Sequence, residues 1–131
     1  MPIEIARSLV AELCSLAARS VPEECCGLLL GRGIRIGQIR PAANVAQDRR
    51  RHFEIDPQAL IDAHRAARAG GPDLLGYFHS HPSGRAEPSP TDRQCASGDG
   101  RMWAIVGEDG VRFWRDEPEG FEPLSYRALD G

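Results

Sequence analysis

The sequence predicts a single α+β domain, in which two main helices pack on one mixed, curved β-sheet in a three-layer arrangement. Short apolar runs bounded by glycine and proline alternate along the chain with two longer segments whose apolar residues recur at helical spacing. The chain has 131 residues, of which 41% are hydrophobic and 27% are charged, as in an ordinary globular protein. We therefore expect residues 1–131 to form one domain.

The helices follow from apolar spacing and from residues that start helices. Residues 4–19 have apolar side chains at three- and four-residue steps, which predicts an amphipathic helix. Asp56 followed by Pro57 is a typical helix start, so a second helix is expected from about Pro57 to Ala69. A short third helix is expected from about Pro90 to Ser97. The apolar positions of the first segment are Ile5, Leu9, Leu13, Leu16 and Ala17.

Strands are expected where short apolar or alternating runs end at turn residues. Cys25–Leu30 is short and is followed by glycines, which favours a buried strand over a helix. A hairpin around Gly31–Gly33 joins this strand to the alternating run Ile34–Pro41. The other expected strands are His52–Ile55, Leu74–His79, Met102–Val106, Val111–Arg115 and Phe121–Tyr126, with a hairpin turn at Glu108–Gly110.

Composition and charge exclude several classes of function. The formal net charge is -3, so a large basic surface for nucleic acid is not expected. The sequence contains no lysine, which excludes a Schiff-base lysine and the lysine of a phosphate-binding loop. No apolar run is long enough to span a membrane, and the N-terminus lacks the apolar core of a secretory signal. We expect a cytoplasmic protein whose four cysteines are reduced and mostly buried.

Two histidines and an aspartate have the spacing of a metal site. His79 and His81 lie two residues apart at the end of an expected strand, so alternation directs both imidazoles to the same face. The loop that follows is long enough to return Asp92 to them as a third ligand. Three protein ligands with one position left for water are typical of catalytic zinc. Ser89 and Asp92 also have the spacing of a helix cap, and the two roles are compatible.

The segment resembles the metal-binding motif of the JAMM (MPN-plus, JAB-type) family. That motif is His-x-His-Pro, followed by a serine and then an aspartate. Here residues 82–88 separate His81 from Ser89, and two residues separate Ser89 from Asp92. The family also has an upstream glutamate in a Pro-x-Glu-x-x-Gly-x-Leu setting, which residues 22–29 match. This register assigns the family's catalytic glutamate to Glu24. Only the register separates it from its neighbour, so Glu23 is the alternative.

The resemblance implies a compact bacterial or archaeal metallopeptidase with the MPN fold, which is similar to that of cytidine deaminases. His79, His81 and Asp92 would hold one Zn²⁺ per chain with a catalytic water, and Glu24 would act as general base and acid. The Ser89 hydroxyl would help to stabilise the oxyanion. The implied reaction is hydrolysis of an amide or isopeptide bond after the C-terminal glycine of a ubiquitin-like or sulfur-carrier protein with a Gly-Gly tail.

Two other functions are compatible with the same fold. A non-catalytic MPN-type scaffold would serve as an interaction module, but such proteins lack the metal ligands that this sequence retains. A RadC-like role on DNA is disfavoured by the negative charge and the absence of lysine, and neither nucleic acid nor membrane is expected as a partner. His52 and His64 are interpreted as surface residues. The run Arg49–Arg51 is a solvated loop or, alternatively, a contact for an acidic protein partner.

Overall fold

In the computed structural model of the chain, the described residues form eight strands and three helices. The strands make one mixed sheet in the order β7-β6-β5-β4-β2-β3-β1-β8. The structure describes residues 2–131. The predicted α+β fold class is confirmed. The elements are β1 (Ile3–Ala6), α1 (Arg7–Ser20), β2 (Cys26–Arg32), β3 (Arg35–Ala42), α2 (Pro57–Arg68), β4 (Asp73–Ser80), α3 (Pro90–Cys95), β5 (Met102–Gly107), β6 (Gly110–Glu117), β7 (Gly120–Leu124) and β8 (Tyr126–Leu129).

The two long helices cover opposite faces of the sheet. Alternate residues of β2 point to opposite faces, as the period of a strand requires. Leu29 belongs to the apolar cluster against which α1 packs, whereas Leu28 and Leu30 belong to the cluster against which α2 packs. Both faces of β2 are therefore buried, which explains its nearly continuous apolar sequence. Among residues 2–131, no helix is long and apolar enough to cross a membrane.

The first secondary-structure element differs from the prediction. The helix expected over residues 4–19 begins only at Arg7, because residues 3–6 form β1. Ile3 and Ile5 are fully buried in this strand, which pairs in parallel with β3 and β8. Ile5 also fits the helical spacing of the segment that follows it. The apolar alternation of a four-residue strand is too short to be recognised beside the longer helical pattern that follows it.

Two expected strands also differ from the structure. The run Phe121–Tyr126 is divided at Ser125 into β7 and β8, which lie at opposite ends of the strand order. The segment His52–Ile55 is not a full strand, since Ile55 forms only an isolated bridge with Asn44. Both errors have the same cause, because partners distant in sequence decide where a short run becomes a strand.

The cysteines are free, but they are not mostly buried as expected. Cys26 alone is buried, and the single proton of its thiol can be donated weakly to the carbonyl of Ala42 or of Ala43. Cys25 is half-buried, while Cys14 and Cys95 are exposed on α1 and at the end of α3. Helix α3 has six residues, and the last three, Arg93 to Cys95, are exposed.

Gly76 is the point of close contact between β4 and β5. The parallel pairing of these strands places Gly76 opposite Met102, and a Cβ at this glycine would collide with the Met102 backbone. We expect Gly76→Ala to lower the free energy of unfolding by about 3 kcal/mol, because backbone atoms cannot move aside as a side chain can. Urea denaturation followed by circular dichroism measures this change.

Gly37 provides the matched control for this prediction. It lies on β3, and a Cβ there would meet nothing within 4 Å. Gly37→Ala should change the free energy of unfolding by no more than about 0.5 kcal/mol. Equal losses in both variants would contradict the crowding at Gly76 and would assign the effect to strand glycines in general.

Candidate active site

Three potential metal-binding atoms lie at the corners of a small triangle. Asp92 Oδ2 is 3.0 Å from His79 Nε2 and 3.1 Å from His81 Nε2, and the two nitrogens are 3.2 Å apart. Bonds of 2.0–2.1 Å to a tetrahedral zinc ion separate its ligand atoms by about 3.3 Å. The triangle is only slightly smaller than this, so a small expansion would admit the ion. The donor set therefore fits zinc.

Local structure explains why these atoms converge. His79 is the penultimate residue of β4, and His81 follows the end of that strand. Asp92 lies in the first turn of α3, where a reciprocal cap fixes it: the Asp92 amide donates to Ser89 Oγ at 3.0 Å, and the Ser89 amide donates to Asp92 Oδ2 at 2.9 Å. The cap and the convergence on the histidines coexist, because the cap determines where the carboxylate points.

The loop after β4 fixes the orientation of His81. His81 Nδ1 lies 2.7 Å from the Arg85 carbonyl. In the tautomer that carries its proton on Nδ1, the ring donates to this carbonyl and presents the lone pair of Nε2 to the triangle. The next residue, Ala86, is fully buried. Its amide donates to Asp109 Oδ1 at 2.7 Å, and its carbonyl accepts from Trp114 Nε1 at 3.1 Å. The loop is thus attached to the β5–β6 hairpin.

Glu24 lies beside the triangle, and Glu23 does not. Glu24 is buried, and a carboxylate oxygen of it lies within 4.8 Å of one ring nitrogen of His79 and one of His81. Glu23 is half-exposed and forms an ion pair with Arg49 at 3.2 Å. Glu24, His79 and His81 also form a group that could hold a metal ion, with atoms within 4.8 Å of one another. The triangle that includes Asp92 has sides of 3.0–3.2 Å. The Glu24 carboxylate therefore lies next to the triangle of His79, His81 and Asp92.

Burial sets the charge state of the site. It raises the pKa of Glu24 to about 7, which the nearby carboxylates of Asp92 and Asp48 reinforce and His81 opposes. Burial lowers the pKa of His79, which favours the neutral imidazole that binds metals. For Asp92, burial is outweighed by hydrogen bonds from both histidines, so its pKa lies far below its usual value. The site therefore combines an ionised carboxylate with a carboxyl group that can exchange a proton near neutral pH.

Ser89 lies at the edge of a surface groove next to the triangle. Its hydroxyl oxygen accepts the Asp92 amide, which leaves the hydroxyl proton available to another acceptor. The groove has a volume of about 420 Å³ and runs between the loop after β4 and the segment that contains Arg50 and Arg51. Glu24, His81 and Ser89 all line it, so a bound chain would reach all three groups at once.

The other residues of interest from the sequence lie outside the triangle. His52 and His64 are exposed, as expected. Arg49 is paired with Glu23, and Arg51 lies 3.8 Å from Asp48, so internal carboxylates offset part of the charge of this arginine run.

Two hydrogen-bonding residues were missed by the sequence analysis. Ser80 Oγ accepts the Cys25 amide at 2.9 Å, and the Ser80 amide donates to the Cys25 carbonyl at 3.1 Å, which holds the start of β2 against the end of β4. Asn44 Nδ2 donates to the Glu24 carbonyl at 3.0 Å. Two features of the sequence could have indicated these residues. Ser80 stands between two histidines, and Asn44 begins a polar loop. Their partners depend on tertiary structure.

Comparisons with known proteins show the family of this chain. A family model described as prokaryotic homologs of the JAB domain matches residues 6–117, and the chain belongs to this family. The desampylase of Haloferax volcanii is 36% identical over 96 residues, which cover 72% of this chain and 69% of that protein. The probable TtuB-protein conjugate cleaving protease of Thermus thermophilus is 36% identical over 122 residues, which cover 90% of this chain and 78% of that protein.

The fold is also that of a solved relative. The solution structure of protein DSY2949 from Desulfitobacterium hafniense has a TM-score of 0.86 at 26% identity and covers 98% of this chain and 94% of that chain. The resemblance to the JAMM family is thereby confirmed. The chain is a compact prokaryotic member of the family and a hydrolase of the peptidase and isopeptidase class.

Proposed function

We propose that this chain is a zinc-dependent peptidase that hydrolyses the amide bond after the C-terminal glycine of a ubiquitin-like or sulfur-carrier protein. One observation carries the proposal. Three donor atoms converge within 3.2 Å of one another, and a carboxylate oxygen of the buried Glu24 lies within 4.8 Å of one ring nitrogen of each histidine. Three protein ligands leave one tetrahedral position open, which is the pattern of a catalytic site and not of a structural one.

His79, His81 and Asp92 are the residues that would hold one Zn²⁺ per chain. Two imidazoles and a carboxylate suit zinc better than the harder cations, which prefer oxygen ligands alone. When bound, zinc supplies a Lewis acid and lowers the pKa of a coordinated water towards neutrality.

Glu24 transfers the proton in the proposed reaction. Its carboxylate accepts a proton from the attacking water and later gives it to the amine that leaves. Two backbone contacts position it for this role, because the Glu24 amide donates to the Arg49 carbonyl at 2.7 Å and the Glu24 carbonyl accepts from Asn44. Burial also keeps bulk water from competing for the carboxylate.

Ser89 contributes a hydrogen bond to the reacting carbonyl. Negative charge develops on the carbonyl oxygen of the substrate as water adds to the carbon. The Ser89 hydroxyl can donate to that oxygen, because its own oxygen is already engaged by the Asp92 amide and its orientation is fixed by the start of α3.

The relatives support the class of substrate. One is named a desampylase and the other a TtuB-protein conjugate cleaving protease, and the matched regions cover more than two thirds of each. A Gly-Gly tail suits such a substrate, since residues without side chains can pass close to the buried site. We place the protein in the cytoplasm, where its free cysteines stay reduced, with neither nucleic acid nor membrane as a partner.

The proposal is tested with a panel of ubiquitin-like and sulfur-carrier proteins fused through their Gly-Gly tails to a second protein. We expect the zinc-loaded chain to cleave one or more fusions directly after the terminal glycine, as mass spectrometry of the products shows. His79→Ala should abolish the cleavage because it removes a ligand.

A tail with its penultimate glycine replaced by valine is the matched control substrate. We expect cleavage of that tail to slow strongly, since the added side chain has to pass the buried site. Equal cleavage of both tails would overturn the Gly-Gly requirement. Stoichiometric zinc binding without turnover on any fusion would favour the non-catalytic scaffold.

A further inference from the structure

The two candidate histidine ligands are held in different ways. Histidines that bind metals almost always donate their second ring N–H to a partner, which fixes the ring. His81 does so through the Arg85 carbonyl. Within residues 2–131, only two buried side-chain polar atoms have no hydrogen-bond partner, and they are His79 Nδ1 and Trp103 Nε1. The His79 ring must therefore be oriented by something other than a hydrogen bond at Nδ1.

Two aromatic rings enclose the His79 imidazole. The ring of Phe53 stacks on it, with centroids 4.2 Å apart and an angle of 17° between the planes. The ring of Trp103 meets it edge-on, with centroids 5.5 Å apart and an angle of 88°. The stacked ring prevents the imidazole from tilting out of its plane, and the perpendicular ring limits rotation within that plane. His79 has no solvent exposure, so water cannot replace either contact.

Asn44 holds the segment that carries Phe53. Phe53 lies in the irregular connection between β3 and α2, where a side chain would ordinarily be mobile. The Asn44 amide group donates to the His52 carbonyl at 3.0 Å and accepts the Glu54 amide at 3.1 Å, which fixes the residues on both sides of Phe53. The same Asn44 nitrogen donates to the Glu24 carbonyl. One side chain thus ties the segment of the stacked ring to the segment of the general base.

We propose that Phe53 is a positioning residue for the metal site, which orients the His79 imidazole by stacking in place of a hydrogen bond. This inference rests on the proposed zinc site but not on the identity of the substrate. It assigns a function to a loop residue that supplies none of the three converging donor atoms. The energetic basis is that a ligand ring held in its bound orientation loses less freedom when the metal binds.

Phe53→Leu tests this inference, since leucine keeps an apolar side chain but removes the stacked ring. We expect the zinc affinity, measured by competition with a chromophoric chelator, to fall about tenfold, as is typical when the group that orients a ligand is lost. The visible spectrum of the cobalt-substituted protein should change as well, because it reports the geometry of the ligands. Phe53→Tyr retains the ring, so its zinc affinity and its cobalt spectrum should both match those of the wild type.

Phe121→Leu is the matched control variant. Phe121 contacts the ring of Trp103 at a centroid distance of 4.8 Å and has no ring contact with His79. The Phe121→Leu substitution removes the same number of atoms from the same aromatic cluster as Phe53→Leu does. Thermal unfolding of the two metal-free variants therefore shows whether lost stability alone explains a change in zinc affinity. Zinc affinity should stay at the wild-type value in Phe121→Leu.

The results separate this inference from the proposed function. Wild-type affinity in Phe53→Leu, or an equal loss in Phe121→Leu, would overturn the role of Phe53 even if the enzyme cleaves its fusions. The expected affinity pattern without cleavage of any fusion would support the role of Phe53 and overturn the proposed substrate. A wild-type chain that binds no zinc would overturn both.

Discussion

Glu24→Gln is expected to lower the rate of hydrolysis about a thousandfold while zinc binding is retained. Glutamine has nearly the same shape as glutamate but cannot accept a proton, and general acid–base catalysis typically contributes about 10²–10⁴-fold. Zinc is retained because Asp92, and not Glu24, completes the 3.0–3.2 Å triangle with the two histidines. Turnover of a cleaved fusion and zinc content by atomic absorption measure the two effects separately.

The adjacent glutamate gives this prediction a close control. Glu23 carries the same charge, but it is half-exposed and paired with Arg49. Glu23→Gln should leave turnover near the wild-type value, since loss of one surface ion pair costs at most about 1 kcal/mol of stability. The reverse result, with activity lost in Glu23→Gln and kept in Glu24→Gln, would shift the motif by one residue. Loss of zinc from Glu24→Gln would instead make Glu24 a ligand.

The convergence of His79, His81 and Asp92 could be predicted from sequence because its geometry is mostly local. His79 and His81 share a face through strand alternation, and Asp92 is aimed by the helix start that follows the loop. All three lie within a stretch of fourteen residues. Local rules for strands and helix caps therefore determine most of their relative positions. The structure brings them to within hydrogen-bonding distance of one another.

Glu24 could be found only through the family motif. It lies 55 residues before His79, and nothing in its local sequence distinguishes it from Glu23. What brings it to the histidines is the antiparallel pairing of β2 with β4, in which Cys26 is opposite His79. The stacking of Phe53 on His79 is a similar case, because it depends on where an irregular loop packs. Long-range contacts of this kind have no signature in a single sequence.

Prediction of the fold from the sequence also fails where an element depends on long-range contacts. The long helices and the central strands were predicted because their apolar patterns extend over many residues. The short strand β1 was assigned to a helix, and β8 was joined to β7, since each has only four or five residues. β1 and β8 pair with each other, so each of them is a strand only because the other one lies beside it.

Asp92→Asn is expected to weaken zinc binding more than about 100-fold while α3 and the fold remain intact. Asparagine keeps an oxygen that can accept the Ser89 amide, so the helix cap is retained. The negative charge that faces His79 and His81 is lost. Loss of a group that merely orients a ligand costs about 10–100-fold, and loss of a charged ligand should cost more. Chelator competition measures the affinity, and circular dichroism of the metal-free protein checks the fold.

Thermal unfolding extends this prediction and separates the two roles of Asp92. Zinc at about 100 times its dissociation constant should raise the free energy of unfolding of the wild type by about 2.7 kcal/mol. The same zinc concentration should leave the free energy of unfolding of Asp92→Asn almost unchanged. Asp56→Asn is the control, because Asp56 caps α2 through the Gln58 amide and lies on another helix. It should respond to zinc as the wild type does. Equal stabilisation of all three proteins would reduce Asp92 to a helix cap and remove the third metal ligand from the proposed site.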